Sequence, residues 1–116
     1  FWFADTGMLA AMHVLAALGG QDRPLSEFAA EFERYSASGE INSTVDDAAA
    51  KVAEVRAAFP DATFDELDGL TVTLADGAWF NLRASNTEPL LRLNVEAPKP
   101  DRMAALRDDV LAIVRR

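Results

Sequence analysis

The side chains best suited to hold an anion lie within one short stretch, RASNTEP. Arg83 carries a planar fork of N–H donors that matches a phosphate or carboxylate group. Ser85, Asn86 and Thr87 add neutral hydrogen-bond donors, and the backbone N–H groups of a tight turn can complete such a site. The same residue types also form ordinary turns by bonding their own backbone. Residue chemistry therefore leaves two interpretations open, an anion-binding loop and a plain turn.

The composition excludes several other kinds of chemistry. The chain has 116 residues, 50% of them hydrophobic and 26% charged, which is typical of one small folded domain or a domain with an appendage. It contains no cysteine, which rules out thiol catalysis and zinc–thiolate sites and fits a cytoplasmic location. The net charge of -8 disfavours nonspecific nucleic-acid binding, because such binding depends on Lys and Arg neutralising phosphates. The longest apolar run is too short for a bilayer, so we predict neither a membrane nor a nucleic-acid partner.

Two strands are predicted to position the anion-binding candidates. In the strand before the loop, Phe80 and Leu82 lie on one face and Trp79 and Asn81 on the other. In the strand after it, Leu91, Leu93 and Val95 alternate with Arg92, Asn94 and Glu96.

The pattern from Glu40 onward predicts the order strand, helix, strand, strand, strand, helix. The signals are an alternating run from Ile41, a helix capped at Asp46 or Asp47, a hairpin turn at Asp76-Gly77 and a last helix capped by Asp101. Short connections between strands favour antiparallel pairing. We predict an α+β fold, a two-layer sandwich with a mostly antiparallel four-stranded sheet and two helices on one face.

A helical segment is predicted to precede this domain. Asp5 is a candidate cap for a first helix that is apolar on nearly all sides, and a second helix is predicted from Pro24 to Tyr35. The stretch SASG at 36–39 is typical of a linker, so we place a boundary between a helical segment, 1–38, and a C-terminal domain, 39–116.

The start of the chain suggests that it is a piece of a longer protein. It opens with the apolar residues FWF and without Met, whereas natural termini are usually polar. A first helix separated from its parent domain would expose apolar surface, so we expect self-association through this helix.

The string RASNTEP followed by LLRLNVEA closely resembles the phosphate-binding loop in the C-terminal domain of the α-D-phosphohexomutases. Within that superfamily it resembles the bacterial phosphomannomutase/phosphoglucomutase branch. The phosphoglucosamine mutase branch typically has Gly at the position of Asn86, which argues against that substrate. FWFADTGMLAAMHVLAALG is similar to the end of the family's third domain, and the remainder is similar to its fourth domain.

The resemblance implies a phosphate-binding role without catalysis in this chain. It implies that Arg83, Ser85, Asn86 and Thr87 bind the phosphate of a hexose 1- or 6-phosphate that is not being transferred. Catalytic and metal sites are not expected here, because the family's phosphoserine and Mg²⁺ site belong to earlier domains. The chain alone is therefore not expected to be active, and its expected partners are hexose phosphates and domains 1–3 of its parent.

Two further residues are candidates for supporting roles around the loop. Glu88 is expected to cap loop N–H groups rather than to contact phosphate, since like charges repel. Arg92 lies on the following strand. It either supports Glu88 or the phosphate without contacting the phosphate directly, or it is simply a solvated strand residue. The alternative to a mutase domain is a non-enzymatic interaction module that binds another protein through its sheet face or its apolar first helix.

Overall fold

The computed structural model describes residues 6–116, which fall into two compact units. The first unit ends at Arg34 and the second runs from Tyr35 to Arg116. The predicted boundary after residue 38 therefore falls inside the second unit. The assignment of the helical segment to a third domain of a parent protein stays a prediction.

The first unit contains two helices, α1 (Gly7–Gly19) and α2 (Leu25–Ala30). Thr6 is the N-cap of α1, and its hydroxyl accepts a hydrogen bond from the N–H of Leu9 at 3.1 Å. Asp5, the predicted cap, lies outside the described residues.

The second helix is shorter than the sequence pattern predicts. The expected continuation of α2 to Tyr35 is wrong, because the helix ends at Ala30 and the hydrogen bonds that follow span fewer than four residues. There the N–H of Phe32 bonds the carbonyl of Ala29 at 2.9 Å, three residues back instead of four. None of the helices described between residues 6 and 116 has the length and apolar character needed to cross a bilayer.

The second unit is an antiparallel sheet covered by two helices. Its elements are β1 (Ser36–Ala37), β2 (Ile41–Thr44), α3 (Ala48–Ala58), β3 (Thr63–Asp65), β4 (Leu70–Thr73), β5 (Trp79–Ala84), β6 (Leu90–Ala97) and α4 (Pro100–Val114). The strand order is β1-β6-β5-β4-β3, and β2 also pairs with β6. The helices α3 and α4 contact each other and both contact the sheet, so the predicted α+β class is confirmed.

The sheet has six strands where four were predicted. The additional strands, β1 and β3, are two and three residues long. Ser36 and Ala37, which were interpreted as part of a linker, pair with Ala97 and Glu96 of β6. The linker prediction is wrong at these two residues, because the end of a long central strand offers unpaired backbone groups that they satisfy.

The core lies between the helices and one face of the sheet. It contains the apolar residues of the central strands together with the inner stripe of α4, and its largest fully buried side chains are Phe80, Leu70, Leu82, Leu91, Leu93, Leu106, Val55, Val72, Val95 and Val110. Because side chains alternate along a strand, burial of Leu82 and Leu93 turns Arg83 and Arg92 to the opposite face. Packing of the core thus sets the direction of the site's two arginines.

The helix starts follow the expected capping chemistry at α3 but not at α4. Asp47 caps α3, where its Oδ1 accepts a hydrogen bond from the N–H of Ala50 at 2.9 Å. Asp101, the predicted cap of α4, lies instead in the first turn, and Lys99 occupies the N-cap position. Pro100 explains the difference, since its fixed φ and missing N–H suit the first helical position.

Candidate functional site

The loop at 85–89 joins the two central strands β5 and β6, and backbone hydrogen bonds hold both of its ends. The N–H of Ser85 bonds the carbonyl of Leu90 at 2.9 Å, which continues the sheet pairing into the loop. The N–H of Val45 bonds the carbonyl of Pro89 at 3.2 Å and ties the loop to the segment after β2. Within the loop, the N–H of Thr87 lies 3.4 Å from Oγ of Ser85. The rigid sheet therefore fixes where this polar loop stands.

The loop forms one wall of an open cavity of about 520 Å³. The cavity is lined by all four predicted phosphate-binding residues and by four others: Arg83, Ser85, Asn86, Thr87, Arg92, Asp68, Gly69 and Ala84. The sequence-predicted residues are thus brought together around one space, large enough for a phosphate group and part of a sugar.

Arg83 and Arg92 lie directly opposite each other on neighbouring strands. They share the polar face of the sheet and both line the cavity, with 41% and 33% of their side chains exposed. Like charges in this cross-strand arrangement repel and weaken a sheet. Negative charge in the cavity, from a carboxylate of the chain or from a bound anion, would relieve that repulsion.

Each of the two arginines has a carboxylate nearby, but neither is fully satisfied by it. Nη1 of Arg83 donates to Oδ2 of Asp68 at 2.9 Å. Nε of Arg92 lies 3.9 Å from Oε1 of Glu40, too far for a hydrogen bond, and this buried nitrogen has no hydrogen-bond partner among residues 6–116. Both guanidinium groups therefore keep N–H donors that these carboxylates do not use.

Glu88, the other predicted supporting residue, is exposed. The contact that the structure shows for it is made by its backbone, whose carbonyl accepts from the N–H of Leu90 at 2.8 Å. Side-chain capping of loop N–H groups by Glu88 stays a prediction.

Asp68 and Gly69 were not among the residues that the sequence analysis singled out. Nδ2 of Asn81 donates to the carbonyl of Asp68 at 2.8 Å and to Oγ1 of Thr71 at 3.0 Å, which holds this turn against β5. Gly69 has a φ of +73°, and a Cβ placed there would lie 2.7 Å from the carbonyl oxygen of Leu82. The Asp-Gly dipeptide signals a turn, but nothing in its spacing identifies Arg83 as its partner.

Metal binding finds no support in the arrangement of the acidic side chains. Within residues 6–116 no group of three or more His, Asp or Glu side chains is placed to hold a metal ion. Asp68 faces a guanidinium instead of further carboxylates.

Fold and site together define a small α+β domain that presents an arginine-containing loop between its two central strands. Residues 40–113 match the family of the phosphoglucomutase/phosphomannomutase C-terminal domain, and the chain belongs to this family.

Named relatives agree with this assignment. A phosphomannomutase of Methanocaldococcus jannaschii is 42% identical over 102 residues, which cover 84% of this chain and 22% of that protein. The phosphohexose mutases of Xanthomonas campestris are 44% identical over 100 residues, or 83% of this chain and 22% of theirs. A probable phosphoglucosamine mutase of Methanopyrus kandleri is 38% identical over 115 residues, or 95% of this chain and 25% of that protein. The chain thus spans about a quarter or less of the length of these relatives.

The names of the relatives do not separate the sugars. A phosphomannomutase and a probable phosphoglucosamine mutase each align with most of this chain, at similar identity. The preference for mannose or glucose phosphates that Asn86 suggests therefore stays a prediction.

Proposed function

We propose that this chain is the sugar-phosphate-binding C-terminal domain of a phosphohexomutase, and that the loop from Arg83 to Thr87 binds the phosphate that is not being transferred. One observation carries the proposal. Two arginines lie opposite each other on adjacent strands, and both line the same cavity as the polar residues of the loop. Two converging cations suit a phosphate dianion better than a neutral sugar or a peptide carboxylate.

The hydrogen-bond donors in the cavity suit specific but reversible binding of a phosphate. Arg83 offers a planar fork for two phosphate oxygens, and Arg92 adds a second positive charge from the facing strand. Ser85, Asn86 and Thr87 supply neutral donors, which fix orientation without adding charge. Because the cavity is open and its cations are partly exposed, water screens the attraction and the phosphate can leave.

A non-reacting phosphate has a clear use in phosphoryl transfer. Such reactions depend mainly on positioning and on electrostatic stabilisation. Binding energy from the phosphate at one end of the sugar can orient the hydroxyl or phosphate at the other end. In this proposal the chain's residues bind and orient the substrate, and the reacting groups come from the rest of the parent.

The parent protein is proposed to be an intramolecular phosphotransferase that interconverts hexose 6-phosphates and hexose 1-phosphates in the cytoplasm. Its Mg²⁺ would be bound by other parts of the parent protein. No step that we assign to this chain runs through the metal, and the chain alone is not expected to turn over substrate. Mannose and glucose phosphates are the substrates that Asn86 favours.

The proposal is tested by titrating the chain with mannose 1-phosphate and following backbone amides by NMR. We expect the amides of 83–87 to shift, with a dissociation constant of about 1 mM or weaker because most contacts of a complete cleft are missing. Arg83→Ala should remove the shifts. Mannose, which lacks the phosphate, should cause none in the wild type.

A matched control comes from Arg102 on α4. Its side chain is 37% exposed, close to the 41% of Arg83, and it also forms one ion pair with an aspartate. Arg102→Ala should leave the titration unchanged. The proposal is wrong if the loop amides of the wild type do not shift at high ligand concentration, or if Arg83→Ala binds as well as the wild type.

The interaction-module alternative is favoured by one separate observation, the exposed apolar surface of α1. Met8, Met12 and Leu15 are 72%, 51% and 58% exposed. This surface belongs to the first unit and leaves the phosphate proposal for the second unit untouched.

A further inference from the structure

We propose that Asp68 is a built-in competitor for the phosphate at Arg83. Its carboxylate pairs with Arg83 in the absence of ligand and opposes the binding of a dianion. The ion pair forms again when the phosphate dissociates. This inference rests on the proposed function, because it concerns the same cavity. Three features of the structure carry it.

The first feature is the position of the carboxylate. Asp68 lines the cavity together with the loop, and its Oδ2 accepts from Nη1 of Arg83 at 2.9 Å. A phosphate held by the Arg83 fork would meet this carboxylate at close range. Two negative groups cannot share one guanidinium at that range without repelling each other.

The second feature is the way the backbone at Asp68 is held. Asn81, on the same strand as Arg83, donates to the carbonyl of Asp68 at 2.8 Å. The next residue, Gly69, packs so closely against β5 that a Cβ there would lie 3.0 Å from Cα of Arg83 and 2.7 Å from the carbonyl oxygen of Leu82. The turn therefore packs closely against the strand that carries Arg83, and this packing places the Asp68 carboxylate at the cavity.

The third feature is that the ion pair is easily broken. It joins one terminal nitrogen of Arg83 to one oxygen of Asp68, whose side chain is 74% exposed. Exposed pairs of this kind are weak, since water solvates both partners when they separate. The Asp68 side chain can thus turn into solvent while its backbone stays in place, and a dianion that also contacts Arg92 can displace it.

Competition of this kind gives the loop a moderate affinity. The open cavity already lets water screen the two arginines, and the Asp68 carboxylate further limits how tightly they hold a dianion. A carboxylate that repels the bound phosphate weakens that grip and speeds release. We therefore expect removal of the Asp68 charge to tighten binding.

The test is an NMR titration of the full 116-residue chain with inorganic phosphate in wild type and Asp68→Asn. Asparagine keeps a carbonyl that can accept from Arg83 but removes the charge. We expect about three- to tenfold tighter binding in low salt, from the loss of a like charge beside the dianion. This gain should shrink in about 0.5 M NaCl, because salt screens exposed charges.

The control for net charge is Asp108→Asn on α4. Asp108 is also an exposed aspartate paired with an arginine, Arg107 at 2.8 Å, and it does not line the cavity. The substitution changes the net charge by the same amount and should leave the phosphate affinity unchanged. An equal gain in both variants would show a general charge effect and overturn the inference.

A second variant, Asp68→Ala, separates competition from positioning. If the carboxylate competes with phosphate, alanine also binds phosphate at least as tightly as the wild type. If the carboxylate positions Arg83 for phosphate, alanine binds more weakly and asparagine shows no gain, which overturns the inference but leaves the proposed function intact. If phosphate shifts no loop amide in the wild type or in Asp68→Asn, both the proposed function and this inference fail.

Discussion

For single residues, the unusual feature of the site is that two positively charged side chains lie opposite each other on neighbouring strands. Arg83 and Arg92 face each other across two strands, and Asp68 reaches the first of them from a turn 15 residues earlier in the chain. Without negative charge nearby, two arginines in this position would repel each other and weaken the sheet. The arrangement is understandable if the cavity exists to hold an anion.

Gly69 is the residue through which the backbone brings Asp68 close to Arg83. We expect Gly69→Ala to destabilise the fold by about 2 kcal/mol or more, because positive φ costs a side chain about 1 kcal/mol and the close approach adds to it. Gly77→Ala is the matched control, since Gly77 has a φ of +83° but a Cβ there meets nothing within 4 Å. Urea unfolding of both variants measures the difference.

The comparison isolates the contact between Gly69 and β5. Gly77→Ala should cost only the strain of its φ, about 1 kcal/mol. If the two variants lose the same stability, the turn at Gly69 can move away from Leu82 without penalty, and the fitted position of Asp68 is not supported.

Residue types predicted part of this site and could not predict the rest. The loop residues Arg83, Ser85, Asn86 and Thr87 are adjacent in sequence, so their common donor chemistry was visible. The contact of Arg83 with Asp68 depends on how β4 and β5 pair. The sequence around Asp68 does not indicate which arginine it pairs with.

At the scale of elements, the hairpin of β4 and β5 is tied to α4 by one ion pair. Nε of Arg102 donates to Oδ2 of Asp76 at 2.6 Å, and Oδ1 of Asp76 accepts from the N–H of Ala78 at 3.1 Å. The Arg102 guanidinium, followed by the Ala78 N–H, holds the pKa of the Asp76 carboxyl below its usual range. Because the folded-state pKa is lowered, the stabilisation is present above the ordinary pKa of aspartate, about 3.9, and is lost as pH falls through the folded-state value.

We therefore expect the coupling of Asp76 and Arg102 to depend on pH. A double-mutant cycle with Asp76→Asn and Arg102→Gln, followed by urea unfolding, should give a favourable coupling free energy at pH 7 and a smaller one at about pH 2.5. Asparagine keeps the acceptor for Ala78, so the cycle reports the charge interaction. Equal coupling at the two pH values would show that ionisation of Asp76 does not contribute.

Elements with a strong periodic pattern were predicted well, and very short ones were not. The hairpin at Asp76-Gly77 and the helices α3 and α4 follow from turn chemistry and from apolar spacing. The strands β1 and β3 have two and three residues, too few to show alternation. They exist because the sheet offers them backbone partners, and that information lies in the tertiary structure.

At the scale of the whole molecule, the two units have different surfaces. The second unit buries its apolar side chains between sheet and helices, which the alternation in β5 and β6 made predictable. The helix α1 has no buried residue, although it is apolar on nearly all sides. Its sequence indicated a need for partners but not which partners.

Self-association through α1 stays a prediction. We expect the apparent mass in light scattering to rise with protein concentration, and Met12→Glu with Leu15→Glu to restore a monomer, since charges on the exposed apolar surface oppose its burial. A monomer at all concentrations in the wild type would contradict this expectation.

Whether Arg83 and Arg92 together hold a phosphate at the loop can be measured at the arginine side chains themselves. The measurement is an NMR titration of the chain with inorganic phosphate, following the side-chain Nε–H signals of the arginines. We expect Arg83 and Arg92 to shift with one common dissociation constant, while Arg102 and Arg107 on α4 do not shift. The claim would be contradicted if Arg83 and Arg92 did not respond, or if all four arginines shifted alike.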